Sequence, residues 1–311
     1  MTTPAPTIGA PSFHLALDAA RAAAGAQHYP VGALYVVATP IGNLADITLR
    51  ALHVLQLADA IACEDTRHTQ QLLRSYRLDG KPLIALHEHN EAEAAQGVVA
   101  RLQSGQRIAY VSDAGTPAVS DPGARLVAAC AAACIRVLPL PGASSVTTAL
   151  SASGLAGDGH FVFAGFLPSK AGERQSAVDA LAQEPRAVVL LEAPHRIAAL
   201  ADALARLGDR PVTVGRELTK QFEQITTLPC ADLPAWLAAD AQRQRGEFAL
   251  VLHPAPAFDD ADDSERVLGL LLAELPLKRA VKLAAEITGS PRNALYDAAL
   301  RSKAQNAGSS D

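Results

Sequence analysis

The 311-residue chain is poor in the groups that mark redox, disulfide or metal proteins. It has four cysteines, Cys63, Cys130, Cys134 and Cys230, with no CxxC pair among them. That spacing excludes zinc-ribbon and thioredoxin-like motifs and predicts reduced thiols and a cytoplasmic protein. Cys130 and Cys134 stand one helical turn apart in an Ala-rich stretch and read as small core residues. Aromatics make up 4% of the chain and hydrophobic residues 49%, an Ala/Leu/Val-rich composition with ample core. No apolar run reaches the length of a membrane span. The first 30 residues lack a basic start followed by an apolar block, so they do not read as a signal peptide. The net charge of -5 gives no global nucleic-acid signal, which leaves local patches to make any such contact. GxxxxGK[ST] and GxSxG are absent, as is a GxGxxG after the first apolar strand. These gaps argue against a P-loop, a serine-hydrolase elbow and a dinucleotide Rossmann site. His87-Glu88-His89 invites a metal reading, but two ligands on one strand face without a third do not make a site.

The stretch that stands out is 111–123, Val-Ser-Asp-Ala-Gly-Thr-Pro-Ala-Val-Ser-Asp-Pro-Gly. An apolar run leads into it and an Ala-rich run leaves it, which predicts a buried strand, a long shaped loop and a helix. Asp121 suits the N-cap of that helix and Pro122 its first position. Gly115 and Thr116 leave room for a ligand to approach backbone amides. Most strand-to-helix connections are far shorter, and long structured ones are usually functional.

From residue 33 onward, apolar strands alternate with helices, the pattern of an α/β fold with a largely parallel sheet. The expected division is an N-terminal extension over 1–32 holding a short helix (13–24), then a first α/β domain over 33–152. Residues 153–159 supply a linker. A second, smaller mixed α/β domain spans 158–253, an acidic Pro-containing linker 254–263, and a helical tail 264–303. In the tail, Ser290 and Pro291 open a helix after Gly289, an arrangement similar to a helix-turn-helix. Six basic residues against two acidic ones lie in 276–303, which makes the tail the candidate RNA- or ribosome-docking module, with a structural helical cap nearly level with it.

Six motifs occur in order: Thr39-Pro40-Ile41-Gly42-Asn43-Leu44, Cys63-Glu64-Asp65-Thr66-Arg67, the 111–123 stretch, Pro141-Gly142-Ala143-Ser144-Ser145, Gly165-Phe166-Leu167-Pro168 and Glu192-Ala193-Pro194-His195-Arg196. As a set they resemble the tetrapyrrole methylase superfamily, and within it the branch that methylates ribosomal RNA. The likeness covers about 33–303 and excludes the Ala-rich extension. It implies a two-domain fold with a cofactor cleft between the domains and a helical tail. It also implies S-adenosylmethionine as donor, no metal, and 2'-O-methylation of a cytidine ribose in the decoding region of 16S rRNA. The partners it implies are the small ribosomal subunit and a second copy of the chain. Pro40-Ile41-Gly42-Asn43 departs from the Gly-rich first loop of the corrin branch and so favours the RNA branch. A corrin-precursor methyltransferase and a non-catalytic ribosome-binding module are the competing readings.

Carried over by motif, the cofactor residues are Pro40, Asp113, Ala114, Gly115, Thr116, Ser144, Ser145, Ala193, Glu247 and Phe248. Asp113 either contacts the donor or caps its own loop, and Ser144 and Ser145 either bind a carboxylate or cap their helix. On the acceptor side, charges cluster after strand ends: Glu64, Asp65, Arg67, His87, Glu88, Asn90, Lys170, Glu192, His195, Arg196, Arg216, Glu217 and Lys220. A ribose hydroxyl is a poor nucleophile and gains from a base. Glu64 and Glu192 are the first candidates and His195 the next. Arg67, Lys170, Arg196 and Lys220 are the candidates for neutralising phosphates.

Overall fold

The computed structural model describes residues 13, 15–87, 90–155, 159–255 and 260–307. The first lobe carries α1 (Ala16–Ala24), β1 (Ala33–Val37), α2 (Leu49–Leu57), β2 (Ala60–Cys63), α3 (Thr66–Ser75) and β3 (Leu83–Ala85). It continues with α4 (Glu91–Gln103), β4 (Ile108–Val111), α5 (Ala124–Ala132), β5 (Arg136–Leu140) and α6 (Ser145–Ala152). Its strands form an all-parallel sheet in the order β3-β2-β4-β1-β5. Alternation along β1 sets both layers. Ala33, Tyr35 and Val37 join the core under α1 and α2, whereas Leu34 and Val36 join the core under α4 and α5. All strand carboxyl ends therefore open on one edge, where ligands bind in open α/β sheets.

The second lobe holds β6 (Phe161–Gly165), α7 (Ala171–Leu181), β7 (Ala187–Glu192), α8 (Ile197–Leu204), β8 (Pro211–Arg216), β9 (Gln224–Pro229), α9 (Leu233–Ala238) and β10 (Phe248–Leu252). The sheet order is β6-β7-β10-β8-β9, parallel only between β6 and β7. One face, with Val188, Leu190 and Leu250, packs on α7 to α9. The other face, with Val189, Ala249 and Val251, packs on Val146 and Ala149 of α6 and on Ile41. The two lobes thus share an apolar core. Buried Arg210 ties the second lobe together by donating to the carbonyls of His253, Leu181 and Glu184 at 2.7, 2.6 and 3.1 Å. The tail is α10 (Asp260–Glu274), α11 (Leu277–Thr288) and α12 (Arg292–Ala307), with its own core of Leu268, Val281, Ala284 and Leu295.

Several expectations change. The helix after the long loop starts at Ala124, not at Pro122, and Asp121 does not cap it. The Tyr110 hydroxyl instead donates to the Pro122 carbonyl and holds the chain short of helical geometry. The short helix expected over 13–24 forms as α1 (Ala16–Ala24) and packs on the first lobe: Ala20 is fully buried in the first core, and Phe13, just before it, meets Tyr76 edge-on at 5.0 Å. The acidic linker is shorter than expected, because the backbone is already helical from Asp260. Residues 156–158 of the first linker, Glu88 and His89 lie outside the described residues. Cys130 is buried, but Cys134 lies past the end of α5 at φ 56° and is exposed. Gly289 closes α11 at φ 75°, and Ser290 Oγ sits 2.5 Å from Ser264 Oγ, which joins that turn to α10.

Candidate active site in the cleft between the lobes

The long loop is built as a shaped element. Gly115 and Thr39 exchange backbone hydrogen bonds of 2.9 and 3.0 Å, an isolated bridge that ties the loop after β4 to the one after β1. Thr39 Oγ1 also donates to the Ser112 carbonyl at 3.3 Å. Gly115 has φ 78°, and a side chain there would meet Ile41 Cγ2 at 3.3 Å and the Ala143 carbonyl at 3.7 Å. Thr116 Oγ1 donates to that same carbonyl at 3.0 Å and pins the loop leading to α6. Asp113 Oδ1 accepts the Asp65 amide at 3.3 Å, so Asp113 links the loops after β2 and β4. Burial raises the Asp121 carboxyl above its usual range, and the nearby Asp113 adds to that. The far end of the loop is gripped from outside: Glu91 Oε1, on α4, accepts the amides of Gly123 and Arg125 at 2.9 Å each.

Between this loop and the second lobe lies a cleft. Ile41, Ala114 and Ser145 line it from the first lobe. Leu191, Ala193, Pro194, Leu218, Phe248 and Ala249 supply an apolar wall from the second, with Phe166 at the side. Its charged groups are Glu192, Lys220 and Glu247. Glu192 and Phe248 are register partners across β7 and β10, and Arg216 is the next partner on β8, so one row of the sheet feeds the site.

The Glu192 carboxylate has no solvent exposure. Its Oε1 accepts the Ala193 amide at 2.9 Å and lies 3.1 Å from Arg196 Nε. Its Oε2 is buried and has no hydrogen-bond partner among the described residues. A buried charged oxygen left bare is costly, so its place on a cleft wall points to an incoming donor. Opposite it, Lys220 Nζ bridges Glu217 Oε1 at 2.7 Å and Glu247 Oε2 at 2.8 Å. Burial alone pulls the Lys220 ammonium down, but the two carboxylates outweigh it and leave it above its usual range. Burial likewise raises Glu217, yet Lys220 and the Glu247 amide hold it below the usual carboxylate value. The Lys220 stem crosses Gly42, where a Cβ would lie 2.4 Å from Lys220 Cγ.

The expected residues therefore separate. Ala114, Ser145, Ala193, Glu247, Phe248, Glu192 and Lys220 line the cleft. Pro40 is buried beside Ile41, and Ser144 occupies the N-cap of α6 with no side-chain capping bond. Asp113, Gly115 and Thr116 shape the loop behind the lining. Glu64 is half-buried after β2 and His195 is exposed after β7; neither lines the cleft. Two phosphate candidates are engaged within the protein. Arg196 is committed to Glu192 and to the Leu167 carbonyl, and Lys220 is held by two carboxylates. Arg67 and Lys170 remain at the surface, paired with Asp65 at 3.2 Å and Glu173 at 3.0 Å. Arg216 is structural, donating to the Arg245 and Phe222 carbonyls. His87 and Asn90 are tied to each other, the His87 amide donating to Asn90 Oδ1 at 2.8 Å. Phe166, Ile41, Leu191 and Leu218 were not expected at the site; of these, only Phe166 and Ile41 stand in motifs that flagged their neighbourhood. No group of three or more His, Cys, Asp or Glu able to hold a metal occurs among the described residues, and no helix among them is long and apolar enough to cross a membrane.

The model of the tetrapyrrole (corrin/porphyrin) methylases matches residues 33–234, and that of the RsmI C-terminal HTH domain matches 259–303. A protein of Escherichia coli O157:H7 named ribosomal RNA small subunit methyltransferase I is 51% identical over 273 residues, which is 86% of this chain and 95% of that one. A Pseudomonas aeruginosa protein of the same name is 48% identical over 279 residues, 87% of this chain and 97% of that one. Among solved structures, cobalt precorrin-4 methyltransferase matches with a TM-score of 0.53 at 19% identity, over 72% of this chain and 98% of that one, a likeness of fold. The cleft, the loop that shapes it and these relatives together place the chain in the tetrapyrrole methylase family, and within it in the ribosomal RNA small subunit methyltransferase I group.

Proposed function

We propose that the protein transfers a methyl group from S-adenosylmethionine to the 2'-hydroxyl of a cytidine ribose in the decoding region of 16S rRNA. It would act on the small ribosomal subunit, in the cytoplasm, as a homodimer. The observation that carries the reading is the cleft itself: an apolar wall faces the loop after β4, and a buried carboxylate oxygen, Glu192 Oε2, has no hydrogen-bond partner among the described residues. The residues fit the donor. Leu191, Leu218, Ala193 and Phe248 offer an apolar surface to an adenine. Ser145 and the N-terminus of α6 offer amides and a hydroxyl to a carboxylate. Gly115, with no Cβ to press on Ile41, lets that lining side chain rest against the loop.

Bound adenosylmethionine supplies a methyl group already activated on sulfur. What remains for the protein is alignment and one proton, and alignment is the larger contribution. Glu192 Oε2 is the proposed acceptor of the hydroxyl proton. Glu192 is preferred to Glu64 and His195 because of the three it alone lines the cleft. Arg196 and the Ala193 amide hold Oε1, which fixes the carboxylate and leaves the buried Oε2 as the oxygen without a hydrogen-bond partner among the described residues. The basic tail, with exposed Lys278, Arg279, Lys282 and Arg292, is proposed to hold phosphates of the subunit.

Incubating the protein with methyl-labelled adenosylmethionine and small subunits lacking the modification tests this. Label on a cytidine ribose is the expected result. Label on a base, label only on a corrin precursor, or subunit binding without transfer would each overturn it.

A further inference from the structure

Phe166 is an aromatic side chain held out on the cleft wall. It is 53% exposed, whereas its neighbour Leu167 is buried in the second-lobe core at 6%. The local backbone explains the contrast. The pairing of β6 with β7 slips between Phe163 and Gly165, and Gly165 takes φ 63°. A bulge of this kind re-aims the next side chain and is common beside active sites. The Arg196 guanidinium then clamps the Leu167 carbonyl, so the segment is fixed on the side that follows Phe166 as well. Arg196 is the same residue that orients Glu192, so ring and carboxylate are set by one guanidinium.

A single exposed apolar residue is ordinary on a protein surface. This one differs in being anchored on both sides and in lining the cleft together with Glu192, Ala193 and Pro194. The other aromatic of the lining, Phe248, is 3% exposed, so its ring is already covered. Phe166 is left with an open surface beside the proposed proton acceptor. RNA bases that are read individually are splayed from their helix and stacked on aromatic rings.

Resting on the reading above, we infer that Phe166 is the stacking platform for the nucleobase of the methylated nucleotide, an unpaired base turned out of the RNA. A nucleotide whose 2'-oxygen reaches Glu192 carries its base within one sugar's width of that atom. Ring and carboxylate would then grip the two ends of one nucleoside.

The test compares Phe166→Ala and Phe166→Trp with the unaltered chain. It uses methyl transfer to unmodified small subunits, calorimetric binding of adenosylmethionine, and sedimentation. Base–aromatic stacking predicts that Phe166→Ala lowers kcat/KM for subunits by roughly 5- to 150-fold. Donor affinity and oligomeric state stay as in the unaltered chain, and Phe166→Trp retains transfer. A parallel loss of donor affinity would make Phe166 a wall of the donor site. A change in sedimentation would make it a subunit contact. Unchanged kcat/KM would remove any role in substrate binding. Each of the three overturns the inference while leaving the methyltransferase reading intact, whereas absence of transfer by the unaltered chain would remove both.

Discussion

Glu91 and Gly123 are joined by a 2.9 Å hydrogen bond in which the carboxylate that opens α4 accepts the amide that opens α5. The same oxygen accepts the Arg125 amide, so α5 is capped by another helix rather than by its own loop. The loop that forms the cleft floor is thereby closed from the side away from the ligand. Glu91→Ala should cost about 1–3 kcal/mol, because two charge-assisted bonds are lost at a nearly buried site. It should also weaken adenosylmethionine binding without touching any lining residue. Denaturant titration and calorimetry check both; unchanged donor affinity would show that the loop holds its shape without this cap.

Gly115 lies behind the cleft lining, and a side chain there would press on Ile41, which does line it. Its φ of 78° already disfavours any L-residue, and its Cβ direction points at Ile41 and Ala143. Gly115→Val is expected to lose at least about tenfold in donor affinity, equivalent to 1.4 kcal/mol. The reciprocal bonds with Thr39 are backbone bonds and survive the change, so far-ultraviolet circular dichroism should stay native-like. Donor binding at the unaltered level would show that the ligand does not approach this turn.

Lys220 makes the cleft wall pH-sensitive at its extremes. The folded Glu217 carboxyl is depressed below its ordinary 4.5, so its contribution to stability is present above that value and is lost as pH falls through the lower folded value. The folded Lys220 ammonium is raised above its ordinary 10.5, so its contribution is present below that value and disappears as pH climbs through the higher one. Between them the cluster is flat. Lys220→Met removes the cation and leaves Glu217 and Glu247 facing each other. The groups are partly solvated, so the loss at neutral pH should stay within about 1 kcal/mol. The gap between variant and parent should shrink as the pH drops below 4.5. Thermal melts across that range measure it, and a constant gap would show that the pair does not couple to folding.

Much of the fold could be read from period and punctuation. The strands β1, β2 and β4 are buried along their whole length and read as short apolar runs between turn formers. The 111–123 loop was recognisable because small residues filled a long gap between a strand and a helix. What could not be read was the long-range pairing. Glu91 lies 32 residues from Gly123, and nothing local to either marks the bond. Asp121-Pro122 satisfied the local rule for a helix start, but the Tyr110 hydroxyl and Glu91 won the competition for that backbone. Arg196 and Lys220 have carboxylates close in sequence, Glu192 four residues and Glu217 three residues before them, but spacing alone did not show that these pairs form, and the second partner of Lys220, Glu247, is 27 residues away.

The tail separates docking from chemistry. It has its own core, and Lys278, Arg279 and Lys282 are exposed on α11 while Val281 and Ala284 face inward. Lys282 shares Glu286 with Arg292 in surface pairs at 3.9 and 3.3 Å, whereas Lys278 and Arg279 sit about two turns before that carboxylate. Phosphate contacts by Lys or Arg make the logarithm of affinity fall with the logarithm of salt, by about 0.7–0.9 per phosphate neutralised. Lys278→Glu with Arg279→Glu should therefore weaken binding to small subunits and flatten the salt slope by about 1.4–1.8 if each reaches one phosphate. Donor binding should not change, since the cleft draws no residue from the tail. Filter binding across a salt series reads the slope directly. An unaltered slope would assign the tail a structural role and return subunit recognition to the rim that carries Arg67 and Lys170.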